Sequence, residues 1–273
     1  MDPLYNRLAS AVEEAIRQAE TILPPDVEEA LHTAYNKETS PTARGEFENI
    51  FANLQIAREK SIPICQDTGI LVIYLTIPES VRLTTKLYDA VSEGIRRATK
   101  SVPLRPNAVD PLTRKNSGDN TGVGVPTIHI IPGDKLRVTV FPKGAGSENM
   151  SQIKMMLPSE VEKIPDFVTS VVKDAGSRPC PPVVVGVGIG GTFDSAASFA
   201  KEALLSPINH MTSYEQEICD RINRLGIGAM GLGGDTTCLA VKVKEGACHT
   251  ASLPVAVNIQ CWCSRRGIVE VDV

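Results

Sequence analysis

Apolar residues recur at helical spacing through the first 60 residues of the chain. A second short helix is predicted at 27–38, with Asp26 as its N-cap, and a third at 47–60. The first helix is predicted from apolar residues that recur near helical spacing among polar ones: Leu4, Leu8, Val12, Ile16 and Leu23.

From residue 61 the pattern changes to short apolar runs, Gly and Pro turns, and helices between them. We therefore expect an α+β fold, with a helical N-terminal layer (1–60) packed on a mixed α/β body (61–273) in one large structural domain, 1–273. Strands are predicted at 70–77, 126–131, 136–141, 182–187, 237–243, 253–260 and 267–272. Helices are predicted at 84–100, 159–174, 194–205 and 212–224.

Composition narrows the classes of function. The formal net charge is −4 and like charges form no long block, which argues against a nucleic-acid partner. The longest apolar runs, such as 70–77, are too short to span a membrane, so no membrane partner is expected. The N-terminus lacks the pattern of a secretory signal, and we expect a cytoplasmic protein.

The seven cysteines are the main candidates for chemistry, because disulfides are rare in the cytoplasm. Cys65, Cys180 and Cys261 lie far apart in stretches typical of sites, PICQDTG, SRPCPPVVVGVGIGG and NIQCWCSRR. Three thiolates from distant segments suit an iron–sulfur cluster with one open iron that acts as a Lewis acid. Zinc is the competing interpretation, but the only close pair, Cys261 and Cys263, is too tight for the usual zinc knuckle.

Other segments offer groups that could act beside such a cluster. Asp67 lies two residues after Cys65, where a carboxylate could move a proton. The polar segment 103–124 contains Arg105, and the arginine guanidinium can bind a substrate carboxylate with two parallel hydrogen bonds. Glycines in FPKGAGSENMS (141–151) free backbone amides that could hold an anion. His249 could donate to a carboxylate or carry a proton.

A glycine pattern raises a different function. Gly186, Gly188 and Gly191 match the GxGxxG fingerprint of nicotinamide-dependent oxidoreductases. In such a fold an acidic residue at the end of the following strand binds the ribose. Here the acid at the expected distance, Glu202, lies on a predicted helix, which argues against this interpretation. The glycines more plausibly allow a close approach of backbone to a cofactor or to other strands. Three further cysteines do not flank Trp262, and we interpret them as small buried residues: Cys219, Cys238 and Cys248.

Taken together, the motifs resemble the N-terminal, or alpha, portion of class I (iron–sulfur) fumarases and the related L(+)-tartrate dehydratases. The resemblance runs from about residue 45 to 273 and rests on six motifs in the family's order. They are PICQDTG, PLRPNAV, KGAGSENMS, CPPVVVGVGIGGTFD, GLGGDTT and HTASLPVAVNIQCW.

The resemblance implies a [4Fe–4S] cluster held by Cys65, Cys180 and Cys261, with Cys263 as an extra thiol. It implies that the open iron binds the hydroxyl and a carboxylate of malate, and that Asp67 is the acid/base residue in the hydration of fumarate. Positions that line the family's substrate site match Gln66, Arg105, Gly144 and His249.

The resemblance also implies a partner. Many family members continue into a second domain, whereas this chain ends at Val273, so we expect an alpha subunit whose site a beta subunit completes. Two alpha chains are expected to pair within the heteromer. The substrate is expected to be a small dicarboxylate of the tricarboxylic acid cycle, fumarate, with L(+)-tartrate dehydratase as the alternative. A nicotinamide-dependent oxidoreductase and a zinc-binding scaffold are the less favoured alternatives.

Overall fold

Two four-stranded sheets carry the fold in the computed structural model, which describes residues 3–273. The mixture of helices with two mixed sheets confirms the predicted α+β class. The chain forms two compact units, and the predicted organisation as one domain stays a prediction. The first unit comprises residues through Pro24, Asn53–Ala145 and Arg265–Val273, and the second comprises Pro25–Ala52 and Gly146–Ser264.

The elements follow the predicted order. The helices are α1 Pro3–Thr21, α2 Pro25–Lys37, α3 Pro41–Lys60, α4 Thr85–Ser101, α5 Ala145–Glu148, α6 Ile164–Ala175, α7 Phe193–Ala203 and α8 Ser213–Asn223. The strands are β1 Ile70–Ile77, β2 Thr127–Pro132, β3 Leu136–Lys143, β4 Gln152–Met156, β5 Val183–Gly191, β6 Cys238–Cys248, β7 Leu253–Gln260 and β8 Gly267–Val271. Within residues 3–273, no helix combines the length and the apolar character that crossing a membrane requires.

The first unit is a sheet in the order β2-β1-β3-β8, with α1 and α4 packed on one face. Because side chains alternate along a strand, Leu71, Ile73 and Leu75 of β1 all point to that face and join its core. Strand β1 runs parallel to β2 and antiparallel to β3. This places the end of β3, at Lys143, beside the start of β1 at Ile70.

The second unit is a sheet in the order β4-β7-β5-β6 with helices on both faces. The valines of β5, such as Val185, join a core with α6 and α8. The glycines between them face α7, where a Cβ on Gly186 or Gly188 would lie 2.0 Å from a carbonyl oxygen of the helix. These glycines therefore lie inside a strand and let α7 approach the sheet closely, which is a packing role and not that of a phosphate-binding turn.

The elements differ from the sequence prediction in several places, among them the short helix α5, which was not predicted. Helix α3 begins at Pro41, six residues before the predicted start, and β4 was not predicted. Asp26 is not an N-cap: α2 begins at Pro25, since proline suits the first turn of a helix. The Asp26 carboxylate instead accepts a hydrogen bond from the Ile208 N–H at 2.9 Å.

Close packing of α1 on α4 gives a first prediction. A Cβ on Gly94 would lie 2.5 Å from the Ala9 carbonyl oxygen and 2.6 Å from the Val12 Cβ. Gly94→Ala should therefore force the helices apart and lower the free energy of unfolding by about 1–3 kcal/mol, measured by urea denaturation.

Gly45→Ala is the matched control, because Gly45 also lies inside a helix and nothing would be within 4 Å of its Cβ. It should raise the free energy of unfolding by roughly 0.5–1 kcal/mol, the helix-propensity gain of alanine over glycine. A stabilised Gly94→Ala variant would show that α1 and α4 do not pack as described.

Candidate active site

The Asp67 carboxylate is fixed by two backbone amides of the first unit. Its Oδ1 accepts from the Gly69 N–H at 3.0 Å, and its Oδ2 accepts from the Ala145 N–H at 2.8 Å. Gly144 leaves room for this contact, because a Cβ there would lie 3.0 Å from Asp67 Oδ2. Each carboxylate oxygen keeps a further lone pair for a proton. Asp67 and Gly144, both predicted site residues, therefore lie side by side.

A tight turn makes this arrangement possible. Gly69 has φ +72°, and a Cβ there would lie 2.7 Å from the Lys143 carbonyl carbon. Only glycine allows the two backbones to come this close in this conformation. The turn brings the loop before β1 to the end of β3, and so brings Asp67 to the amide of Ala145.

The polar segment 103–124 is tied to the same loop. The Thr68 hydroxyl donates to the Arg105 carbonyl oxygen at 3.3 Å, and the Asn107 side-chain amide donates to the Gly69 carbonyl oxygen at 3.0 Å. Asn120 also donates to the Arg105 carbonyl oxygen, at 3.2 Å. The main chain of Arg105 is therefore held beside the loop, whereas its side chain is exposed.

Two buried charged residues that the sequence analysis missed lie beneath the loop. Arg265 donates from Nη2 to the Asp67 carbonyl oxygen at 2.5 Å, and its Nη1 lies 3.5 Å from Glu20 Oε2. Glu20 is 0% exposed and Arg265 is 3% exposed. Glu20 falls on the buried stripe of α1, one turn after Ile16, and a glutamate in that register was the available signal.

Glu20 also holds the loop through its main chain. Its carbonyl oxygen accepts from the Ile64 N–H at 2.7 Å, while the Asn53 side chain donates to the Ile64 carbonyl oxygen at 2.9 Å. The residues between, Cys65 and Gln66, are thus fixed at both sides by contacts to Ile64 and Asp67. Cys65 is half-buried and Gln66 is exposed.

In the second unit, Cys180 and Cys261 come from neighbouring segments. The Trp262 N–H, next to Cys261, donates to the Cys180 carbonyl oxygen at 3.2 Å. Cys180 is exposed and Cys261 is half-buried, whereas Cys263 is only 1% exposed. Because β7 ends at Gln260, strand alternation does not relate the two thiols that flank Trp262. Their exposure distinguishes them instead.

His249 lies at the turn between β6 and β7, with an exposed side chain. Its Nδ1 accepts from the Ala251 N–H at 3.1 Å. In the neutral ring this leaves Nε2 as the protonated nitrogen, so His249 presents an N–H donor at the surface of the second unit.

The remaining thiols have other surroundings. Cys219 donates to the Cys238 carbonyl oxygen at 3.7 Å, and both residues are 2% exposed, as predicted. Burial, with a hydrogen bond to Cys219, raises the pKa of the Cys238 thiol. Cys248 was predicted to be buried but is exposed, and its thiol donates to the Ser252 carbonyl oxygen at 3.3 Å.

The predicted site residues divide between the two units. Within residues 3–273, no three Cys, His, Asp or Glu side chains come close enough together to hold a metal ion. The first unit contains Cys65, Gln66, Asp67, Arg105 and Gly144, and the second contains Cys180, His249 and Cys261.

Comparison with known proteins agrees with the resemblance read from the motifs. Residues 9–270 match the family model described as fumarate hydratase (Fumerase). A protein of Methanocaldococcus jannaschii named as a putative L(+)-tartrate dehydratase subunit alpha is 45% identical, over 97% of this chain and 98% of its own length. The L(+)-tartrate dehydratase subunit alpha of Escherichia coli (strain K12) is 33% identical, over 97% of this chain and 91% of its own length.

The buried Glu20 carboxylate gives a prediction about pH. Burial raises the pKa of Glu20 from 4.5 to about 7, with Arg265 opposing and Asp67 adding to the rise. Between these pH values the folded chain keeps a proton that the unfolded chain releases, so stability falls as the pH rises through that window. Glu20→Gln should remove this fall, which is on the order of 3 kcal/mol, in urea denaturation at pH 5 and pH 8.

Glu14→Gln is the control, because Glu14 lies on the same helix with a partly exposed side chain that pairs with Arg17. Its unfolding should keep the pH dependence of the unchanged protein. A Glu20→Gln variant with that same dependence would mean that Glu20 is not protonated in the folded chain near neutral pH.

Proposed function

The chain belongs to the fumarate hydratase (Fumerase) family, and from that premise we propose that it is the alpha subunit of a two-subunit hydro-lyase that reversibly hydrates fumarate to (S)-malate. The family match and the names of the relatives support a hydro-lyase. The observation that carries the proposal is the Asp67 carboxylate, held by two amides two residues from Cys65. We propose that this fixed carboxylate is the acid/base group of the reaction.

The proposed cofactor is a [4Fe–4S] cluster held by Cys65, Cys180 and Cys261. The chemistry of the donor set fits, because thiolates are the usual ligands of iron–sulfur clusters. These thiols are exposed or half-buried, unlike the buried Cys219, Cys238 and Cys263. When bound, the cluster would supply an open iron that polarises the C–O bond of the hydroxy acid.

Asp67 would take up or return the proton that is exchanged when water leaves or adds across the double bond. Two amide donors orient its carboxylate, and each oxygen keeps a lone pair for the proton. Gly144 contributes by the absence of a side chain, which keeps space beside Asp67 Oδ2.

The remaining residues would hold the dicarboxylate. The exposed guanidinium of Arg105 suits a bidentate contact with a carboxylate, and its backbone is held by Thr68 and Asn120. Gln66 offers an exposed amide, and His249 offers the N–H of Nε2. N–H donors of this kind orient a carboxylate because its oxygens accept their hydrogen bonds.

A beta subunit is proposed to complete the site, since the relatives are named as alpha subunits. Pairing of two alpha chains within the heteromer, a cytoplasmic address and a place in the tricarboxylic acid cycle stay predictions. L(+)-tartrate dehydratase is the second candidate activity, and the names of the relatives favour it. Both activities add water to a four-carbon diacid or remove it, so the same residues would serve either activity.

The first test of the cofactor compares two neighbouring thiols. After anaerobic reconstitution with iron and sulfide, Cys261→Ser should lose the cluster, because a half-buried ligand is removed. Cys263→Ser should keep most of it, since that thiol is buried at 1% exposure. Bound iron, acid-labile sulfide and visible absorption are measured. The reverse pattern would assign the ligand to Cys263.

The test of the mechanism is Asp67→Asn in the complex with the beta subunit. Iron and sulfide content should stay unchanged while turnover falls about 100-fold or more, because an amide cannot exchange the proton. Asp110→Asn is the control: Asp110 also accepts backbone amides, from Leu112 at 3.1 Å and Thr113 at 2.7 Å, and has no proposed part in the site. A near-normal rate in Asp67→Asn would remove Asp67 from the mechanism.

A further inference from the structure

The GLGGDTT segment (231–237) has no part in the proposed reaction, yet the loop that contains it is unusual. Left-handed backbone recurs through it, at Gly228 (φ +69°), Gly231 (+78°) and Gly233 (+85°). Met230, which is not a glycine, also has φ +52°. A left-handed backbone is unfavourable for a residue with a side chain, and it persists only when its surroundings hold it. We define residues 228–237 as the glycine loop.

A buried carboxylate holds one end of the glycine loop. Glu38, which is 4% exposed, accepts from the Asp235 N–H at 3.0 Å and from the Thr236 N–H at 3.3 Å. It also accepts from the Ser40 N–H at 3.0 Å. A Cβ on Gly234 would lie 3.0 Å from both carboxylate oxygens, so the loop backbone lies directly on Glu38.

The contact is reciprocal. Asp235 Oδ2 accepts from the Thr39 N–H at 2.8 Å and from the Thr39 hydroxyl at 2.7 Å. These two bonds lower the pKa of the Asp235 carboxyl. The junction between α2 and α3 and the glycine loop therefore hold each other through two carboxylates, each accepting amides of the other segment.

The other end of the glycine loop touches the segment that contains Cys180. The Met230 N–H donates to the Pro181 carbonyl oxygen at 2.8 Å. A Cβ on Gly231 would lie 2.2 Å from the Ser177 Cβ, so the two backbones are in close contact. Cys180 itself has φ +52°, and its N–H donates to the Ser177 carbonyl oxygen at 3.0 Å. Like Met230, Cys180 therefore has a left-handed backbone that neighbouring segments must hold in place.

We propose that Glu38 is a positioning residue for Cys180, acting through the glycine loop. The inference rests on the proposed function only in giving Cys180 the role of a cluster ligand. Glutamate suits the task because an ionised carboxylate accepts several amides and carries no donor of its own. A glutamine in its place keeps the shape but offers one accepting oxygen, and its NH₂ group faces backbone N–H groups.

Glu38→Gln is compared with Glu215→Gln in the full chain. Glu215 is 3% exposed and accepts from the N–H groups of Thr212 and Val243, both at 2.8 Å. It is therefore an equally buried carboxylate that accepts amides, but it caps α8 and does not touch the glycine loop. Glu215 also pairs with Lys242 at 3.1 Å, so Glu215→Gln should lose at least as much stability as Glu38→Gln, and an effect seen only in Glu38→Gln is not a general loss of stability.

Hydrogen exchange of the iron-free chain measures the positioning directly. Glu38→Gln should speed amide exchange about tenfold or more in residues 177–180 and 228–237, and leave α6 unchanged. Glu215→Gln should leave 177–180 and 228–237 as in the unchanged protein. Unchanged exchange at 177–180 in Glu38→Gln would overturn the proposal. If Glu38→Gln does not fold, Thr39→Val removes one bond to Asp235 and should give the same pattern with a smaller increase.

Anaerobic reconstitution then tests the consequence for the cluster. Glu38→Gln should bind less than half the iron and sulfide of the unchanged chain, Glu215→Gln should bind the full amount, and Glu38→Asp should recover part of the loss. Full iron content in Glu38→Gln would contradict a positioning role for the ligand. If the unchanged chain and its complex with the beta subunit take up no cluster, the proposed cofactor is wrong, while the exchange data still decide whether Glu38 positions Cys180.

Discussion

The buried Arg265 guanidinium is the interaction on which the arrangement around Asp67 depends. A buried charge is costly unless it is paired, and Arg265 meets Glu20 on one side and the Asp67 carbonyl oxygen on the other. It thereby joins α1, the loop before β1 and the segment before β8. Above a pH of about 7, where Glu20 is ionised, removal of either side chain would leave an uncompensated charge beneath the loop. The Asp67 carboxylate can be fixed because Arg265 holds the main chain of Asp67 through its carbonyl oxygen.

Close backbone approach is the second constraint, and glycines provide it. Gly69 lets the loop before β1 lie on the backbone at Lys143, which brings the Ala145 amide to Asp67. Gly186 and Gly188 let α7 lie against β5. In each place a side chain would collide with backbone and not with a flexible side chain. Close packing of backbone therefore accounts for Gly69, Gly186 and Gly188.

Much of the fold could be predicted from local patterns. All seven predicted strands are confirmed, because each is an apolar run bounded by turn residues. Strand β4 was missed because its sequence, QIKMM, has a single β-branched residue. The start of α3 was missed because Gly45 lies in its first turns, where glycine normally weakens a helix. The parallel pairing of β1 with β2 depends on contacts distant in sequence, which periodicity does not reveal.

The candidate site divides in the same way. Cys65, Asp67, Arg105 and His249 are predicted as site residues because their residue types suit the chemistry and lie in motifs, and their roles stay predictions. The residues that support these positions could not be predicted from the sequence, because pairs such as Glu20 with Arg265 join positions far apart in the chain. Glu38 had no chemical signal either, because its partners are backbone amides. Sequence motifs thus indicate the reacting groups, and the structure adds the groups that support them.

The proposed hydro-lyase activity is tested by the rate of water elimination or addition by the iron-loaded complex of this chain with its beta subunit. Fumarate, (S)-malate and L(+)-tartrate are compared under anaerobic conditions. We expect turnover that needs both subunits and the cluster, with fumarate and malate preferred over tartrate. Preference for tartrate would keep the hydro-lyase and change its substrate. A complex that holds the full cluster and yet turns over none of the three diacids would contradict the account.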